Sequence, residues 1–284
     1  MPAPIKRHLG DCHSRVLARF VFICQVKEEE VPAGLRYSNK DQRLTEHIEY
    51  EESEIEGRAF SGVFAAPATP PRGGILVLHG GSGLTEHERE HVRRLAGLGY
   101  AALAPDLFGE VFTERSRGMA VIGELTTRPA LIRARIGAAF HRLCDVPGVG
   151  AARTAAMGHC FGGFAGLELA RSGAGVQAVI SFHGGLATQA PAVAGQVRAR
   201  VLVCTGADDR FCTREQRAAF EDEMTAAGVD WQLHVYAGAR HGFTVPGIDP
   251  EKYPGCAYHE PSDRRSWHAM LALFDEVLPA HGLA

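Results

Sequence analysis

Short apolar runs punctuate this chain at regular intervals, and between them lie stretches whose apolar residues return every three or four positions. The runs are Ile75–Leu78, Tyr100–Ala104, Thr154–Met157, Val176–Phe182, Arg200–Thr205 and Trp231–Tyr236. Runs of this length read as strands buried on both faces, the pattern of a parallel sheet covered by helices. Helices are predicted from the loop after Leu78 to Leu98, over Ala130–Cys144, near residues 212–227 and over residues 262–278. In the last of these, Trp267, Met270, Leu271 and Phe274 follow helical spacing and read as core. Upstream, His47–Tyr50 and Ile55–Ala66 read as two strands of a hairpin that ends at Pro67 in a Pro/Gly-rich loop. The predicted fold class is α/β, a mostly parallel doubly wound sheet with helices on both faces and an N-terminal antiparallel hairpin.

Residues 1–44 break this pattern, mixing Pro2, Pro4, basic residues and the acidic run Glu28–Glu30. They are predicted to be a poorly ordered extension ahead of a single domain over residues 45–284. A chain of 284 residues is long enough to bury a full core. The formal net charge of -3, with acids and bases interspersed, offers no basic face for nucleic acid. Seven cysteines, an odd and scattered set without a C-x-x-C pair, fit neither a disulfide framework nor a zinc ribbon. A reducing, cytoplasmic setting follows as the expectation. The apolar run Val16–Val26 is short, is interrupted by Arg19 and lacks a well-placed small-residue cleavage site, so neither membrane anchoring nor secretion is predicted.

The chemistry begins at Gly158-His159-Cys160-Phe161-Gly162, between an apolar strand and a small-residue helix. Glycine two positions either side of a nucleophile is what a sharp strand-to-helix elbow requires, and the helix start favours the thiolate. With this chain's glycine and cysteine content the motif arises by chance in about one chain in ten of this length, so its neighbours decide its meaning. In a parallel sheet, catalytic groups gather at the carboxyl ends of strands. Those ends carry His79-Gly80-Gly81-Ser82-Gly83, Cys160, Gly206-Ala207-Asp208-Asp209 and Arg240-His241-Gly242-Phe243. The order is nucleophile, acid, base, the chain order of an α/β-hydrolase triad.

Each candidate has a distinct task. His241 takes the proton of Cys160 or pairs with its thiolate, and Asp209 fixes the imidazole tautomer. The N–H groups of Gly81 and Phe161 form the oxyanion hole, and glycine permits the close approach. His183, His79 and Phe108 are candidate pocket residues. The reaction needs no cofactor, and the expected partner is a small ester or lactone. A rival motif is His87-Glu88-Arg89-Glu90-His91, which matches H-E-x-x-H and would make a zinc hydrolase of His87, Glu88 and His91. Its helix is nearly all charged and reads as a solvated face, and no G-x-x-H follows it directly to supply a third ligand, so no metal is assigned.

Five stretches together carry a family resemblance: Leu78–Leu84, Ala104–Gly109, Gly158–Gly163, Ser181–Gly185 and Asp263–Trp267. Across about residues 46–281 the chain resembles the dienelactone hydrolase family of α/β hydrolases. The resemblance implies the α/β-hydrolase fold, a Cys-His-Asp triad of Cys160, His241 and Asp209, and a thioester acyl-enzyme. Two features depart from the family pattern. Gly80 stands where relatives commonly carry a glutamate that controls the thiol, and Glu110 and Val245 stand where dienelactone-cleaving members carry carboxylate-gripping arginines. Arg115, Arg117, Arg210 and Arg240 are the nearby arginines that could substitute. A second reading from another class is a non-catalytic member of the fold that binds a small molecule.

Overall fold

The computed structural model describes residues 42–52 and 58–279, with side chains from residue 59 onward. Residues 1–41 of the predicted extension lie outside the described residues. The first strand starts at Gln42, within the last residues of the stretch read as an extension.

Strands β1 (Gln42–Glu52) and β2 (Arg58–Pro67) form the antiparallel hairpin. From there strand and helix alternate. In chain order come β3 (Gly74–Leu78), α1 (Glu86–Gly97), β4 (Ala101–Pro105), α2 (Arg115–Thr126), α3 (Pro129–Cys144) and β5 (Thr154–His159). Then follow α4 (Phe161–Arg171), β6 (Ala178–Phe182), β7 (Arg200–Gly206), α5 (Arg214–Ala226), β8 (Trp231–Tyr236) and α6 (Glu260–Val277). Among the described residues the strands form one eight-stranded sheet in the order β1-β2-β4-β3-β5-β6-β7-β8. All neighbours from β4 to β8 pair in parallel, while β1, β2 and β4 pair antiparallel.

Strand periodicity explains the two-sided core. Leu76, Leu78, Leu103, Ala156, Val179, Val201 and Val203 face one side, where they pack with α3, α4 and α5. Their neighbours Ile75, Val77, Ala104, Met157, Ile180, Leu202 and Cys204 face the other, under α1 and α6. Strands β3, β4, β5 and β6 are buried throughout, as their apolar sequences require. Edge strand β8 instead has no fully buried residue, with Gln232 and Val235 exposed and the others half-buried.

Helix α2 is absent from the hydrophobic pattern. It buries only Gly118 and Leu125, and glycines interrupt it, so no apolar stripe marks it in the sequence. It lies against the loop after β3. A Cβ on Gly118 would stand 2.6 Å from the Gly81 carbonyl oxygen, so this helix approaches that loop at backbone distance.

Candidate active site

Three elements meet where β5 ends. At Cys160 the backbone turns with φ 53° and ψ -114°, a left-handed conformation that a residue with a side chain adopts only under constraint. The constraint comes from packing on both sides. A Cβ on Gly158 would collide with the Gly162 carbonyl, and one on Gly162 would collide with the Leu78 carbonyl. Helix α4 can therefore start immediately after the turn, aiming its first N–H groups back toward the sulfur.

The loop after β7 brings Asp209, and the loop after β8 brings His241. His241 Nδ1 donates to Asp209 Oδ2 at 2.9 Å, and Asp209 Oδ1 accepts the Phe211 N–H at 2.8 Å. Both side chains are buried. The same imidazole hydrogen-bonds the Cys160 sulfur, which also meets the N–H groups of Phe161 and Gly81. Burial pushes the Cys160 thiol pKa up, but the His241 charge, its hydrogen bond and these two amides together leave it below the ordinary thiol value. Burial likewise pushes the His241 pKa down, yet Cys160 and Asp209 outweigh it and hold the imidazole well above its usual value. The arrangement favours a thiolate beside an imidazolium.

Cys160, Gly81, Phe161 and His241 line a cavity of about 720 Å³. Phe112, Met119, Ile122, Phe164 and Leu186 give it a mostly apolar wall. His183 also lines it, with its ring centroid 4.9 Å from that of His241 and Nε2 hydrogen-bonded to Thr244 Oγ1 at 2.8 Å. His79 and Phe108, expected in the pocket, stand outside its lining. His79 is fully buried because both ring nitrogens serve the backbone: Nδ1 donates to the Gly80 carbonyl at 2.8 Å, and Nε2 accepts the Leu107 N–H at 2.9 Å. Phe108 packs edge-on against that ring at 4.5 Å. Of the four arginines considered as substitutes, Arg115 reaches the cavity, and Lys252, which the sequence did not single out, joins it there.

The Glu88 carboxylate reaches the loop after β3. It is buried, and its Oε2 accepts the Thr85 N–H at 2.9 Å and the Thr85 hydroxyl at 2.7 Å. Its Oε1 accepts the Gly80 N–H at 3.4 Å. Helix α1 is thus not the solvated face expected from its charges, since Glu88, Val92, Leu95 and Ala96 are buried beneath it. His87 and His91 turn inward as well, and His159 from β5 meets them. Burial first, and then neighbouring positive groups, hold the pKa values of His91 and His159 well below the usual histidine value.

The dienelactone hydrolase family model matches residues 60–278. This chain belongs to the dienelactone hydrolase family. Two solved structures of the fold are similar to it: one named m3DLH, at 39% identity and TM-score 0.78, and a dienelactone hydrolase-like promiscuous phosphotriesterase, P91, from metagenomic libraries, at 37% and 0.76. Each alignment covers 84% of this chain and 99% of the other. A protein of Methylorubrum extorquens named as a candidate carboxymethylenebutenolidase is 30% identical over 196 residues, 62% of this chain and 66% of that protein. The α/β-hydrolase fold and a hydrolase activity on small molecules come with family membership. No helix among the described residues is long and apolar enough to cross a membrane.

Proposed function

We propose that the protein is a thiol-dependent hydrolase of small esters or lactones, with Cys160 as nucleophile, His241 as acid and base, and Asp209 as its orienting acid. One observation carries the reading: a single imidazole bridges Cys160 and Asp209 while the Gly81 and Phe161 amides face the same sulfur. The thiolate adds to the substrate carbonyl, and the two amides hold the oxyanion. His241 then gives its proton to the departing oxygen as the carbon–oxygen bond breaks, leaving a thioester on Cys160. Water, deprotonated by His241, adds to the thioester; the carbon–sulfur bond breaks and the acid leaves, restoring the thiolate pair. Because a thiolate itself leaves readily, forward collapse is favoured for enolate or aryl oxide leaving groups over simple alkoxides. A nucleophilic thiol also fits a reducing compartment such as the cytoplasm.

The mostly apolar cavity wall supports small, largely apolar substrates; Arg115 and Lys252 share the lining with Glu88, Glu114 and Asp249. The decisive experiment is hydrolysis of p-nitrophenyl acetate by wild type, Cys160→Ser and His241→Ala, with mass spectrometry of the acylated chain. A rate for wild type no greater than for both variants would overturn the reading in favour of a non-catalytic binding protein, and an acyl group on a residue other than Cys160 would overturn Cys160 as the nucleophile.

A further inference from the structure

Helix α1 and strand β5 bring three histidines from distant parts of the chain into one cluster. His87 and His91 are one helical turn apart on the same face of α1, and His159 is the last residue of β5. Their ring centroids are separated by 4.6 Å (His87 to His91), 4.8 Å (His87 to His159) and 4.8 Å (His91 to His159). One potential ligand atom from each ring lies within 4.8 Å of the other two. His87 Nε2, His91 Nδ1 and His159 Nδ1 are all shielded from solvent without a hydrogen-bond partner. Three orphaned ring nitrogens in one place are costly unless something they can bind occupies the centre.

The geometry points to a three-histidine site for a divalent transition-metal ion of the Zn²⁺ class, formed by His87, His91 and His159. Imidazole ligands suit Zn²⁺, Cu²⁺ and Ni²⁺ rather than Mg²⁺ or Ca²⁺. Tetrahedral zinc with ligand nitrogens at about 2.0–2.1 Å needs them about 3.4 Å apart, so the widest pair must close by somewhat more than 1 Å. Small ring rotations of His87 and His91, both half-buried, can supply that movement. Aromatic rings flank the cluster: Trp267 stacks on His91 at 5.4 Å, and Phe182 stacks on His159 at 5.0 Å.

This site differs from a zinc-protease centre. In that motif the glutamate activates metal-bound water, whereas Glu88 is already committed to Thr85 and Gly80. The third ligand comes from the strand that leads into the elbow, not from further along the helix. His87 and His159 both line the cavity that Cys160 lines, so the ion would sit at its wall with a fourth position for water or a ligand oxygen. Thiol chemistry and metal binding therefore use different side chains of one cavity.

The test is titration of chelator-stripped full-length protein with Zn²⁺ against a chromophoric chelator, and separately with Co²⁺ followed by absorption. Wild type and Cys160→Ser are expected to bind one ion each at this site with equal affinity, and His91→Phe or His87→Phe, which keep an aromatic ring in the stack, to bind it more than about 100-fold more weakly. Bound Co²⁺ is expected to give a tetrahedral ligand-field band without a thiolate charge-transfer band. Thermal denaturation establishes that each variant is folded. Undiminished binding in the folded histidine variants, loss of binding in Cys160→Ser, a thiolate band, or no saturable binding by wild type would each overturn the assignment. The Co²⁺ spectrum of wild type and the Cys160→Ser titration decide the matter even if both histidine variants fail to fold.

Discussion

His241 stands 2.9 Å from Asp209 through Nδ1, and the second oxygen of the same carboxylate is fixed by the Phe211 N–H at 2.8 Å. The carboxylate cannot rotate without losing one bond, so the imidazole has one orientation and one tautomer in which the remaining nitrogen can receive the Cys160 proton. Asp209→Asn replaces an acceptor by an amide that can donate to Nδ1 and reverse the tautomer. Turnover of p-nitrophenyl acetate is expected to fall about 100-fold or more with little change in KM, as measured by initial rates.

Activity should have two pH limits. The Cys160 pKa lies below the ordinary thiol value, so the thiolate persists as pH falls until that pKa is crossed, and activity is lost below it. The His241 pKa is raised, so its proton is retained above the usual histidine range and activity declines only as pH rises through the higher value. In His241→Ala the burial of Cys160 is no longer offset by the imidazolium. The pH dependence of iodoacetamide alkylation should then move upward past the ordinary thiol range.

Glu88→Ala removes the acceptor for three donors on Gly80 and Thr85. Loss of these buried bonds should cost about 1–3 kcal/mol in stability by denaturant titration. The Gly80–Gly81 backbone would also lose its anchor next to the Gly81 amide. Turnover should fall about 10-fold, with KM less affected, because an oxyanion donor acts chiefly in the transition state.

Gly162→Ala places a methyl group against the Leu78 carbonyl and 2.8 Å from the His79 oxygen, both backbone atoms of a buried strand end. Neither can yield without disturbing β3. The variant should lose about 3 kcal/mol or more, read as a lowered melting temperature, and Gly185→Ala, which meets nothing within 4 Å, should not.

The sheet and the elbow were legible because each is written in adjacent residues: apolar runs for β3 to β7, and glycine-spaced Cys160 between a strand and a helix. The meeting of Asp209 with His241 beside Cys160 was legible because strand ends can be counted along the chain. What could not be read was contact across the fold. Charged α1 reads as a wet surface until Val92, Leu95 and Ala96 are seen packed under α6 and the sheet. His159 looks like a spacer in the elbow until β5 carries it beneath His87 and His91. Glu88 reads as a zinc-motif acid until its carboxylate is found on Thr85 and Gly80. Helix α2 leaves no periodic trace in the sequence because its burial is confined to Gly118 and Leu125. His79 reads as a pocket residue at a strand end, but its two backbone bonds make it a brace behind the site.

The cavity is bounded by parts of unequal firmness. Its floor is the end of β5, a strand buried along its length and paired on both sides by β3 and β6. Its roof includes α2, which offers few buried side chains to hold it down. Amide protons of β5 should therefore exchange with solvent only through global unfolding, whereas those of α2 should exchange through a smaller, separate opening. Bulky molecules could then enter by lifting the roof while Cys160, His241 and Asp209 stay in register below.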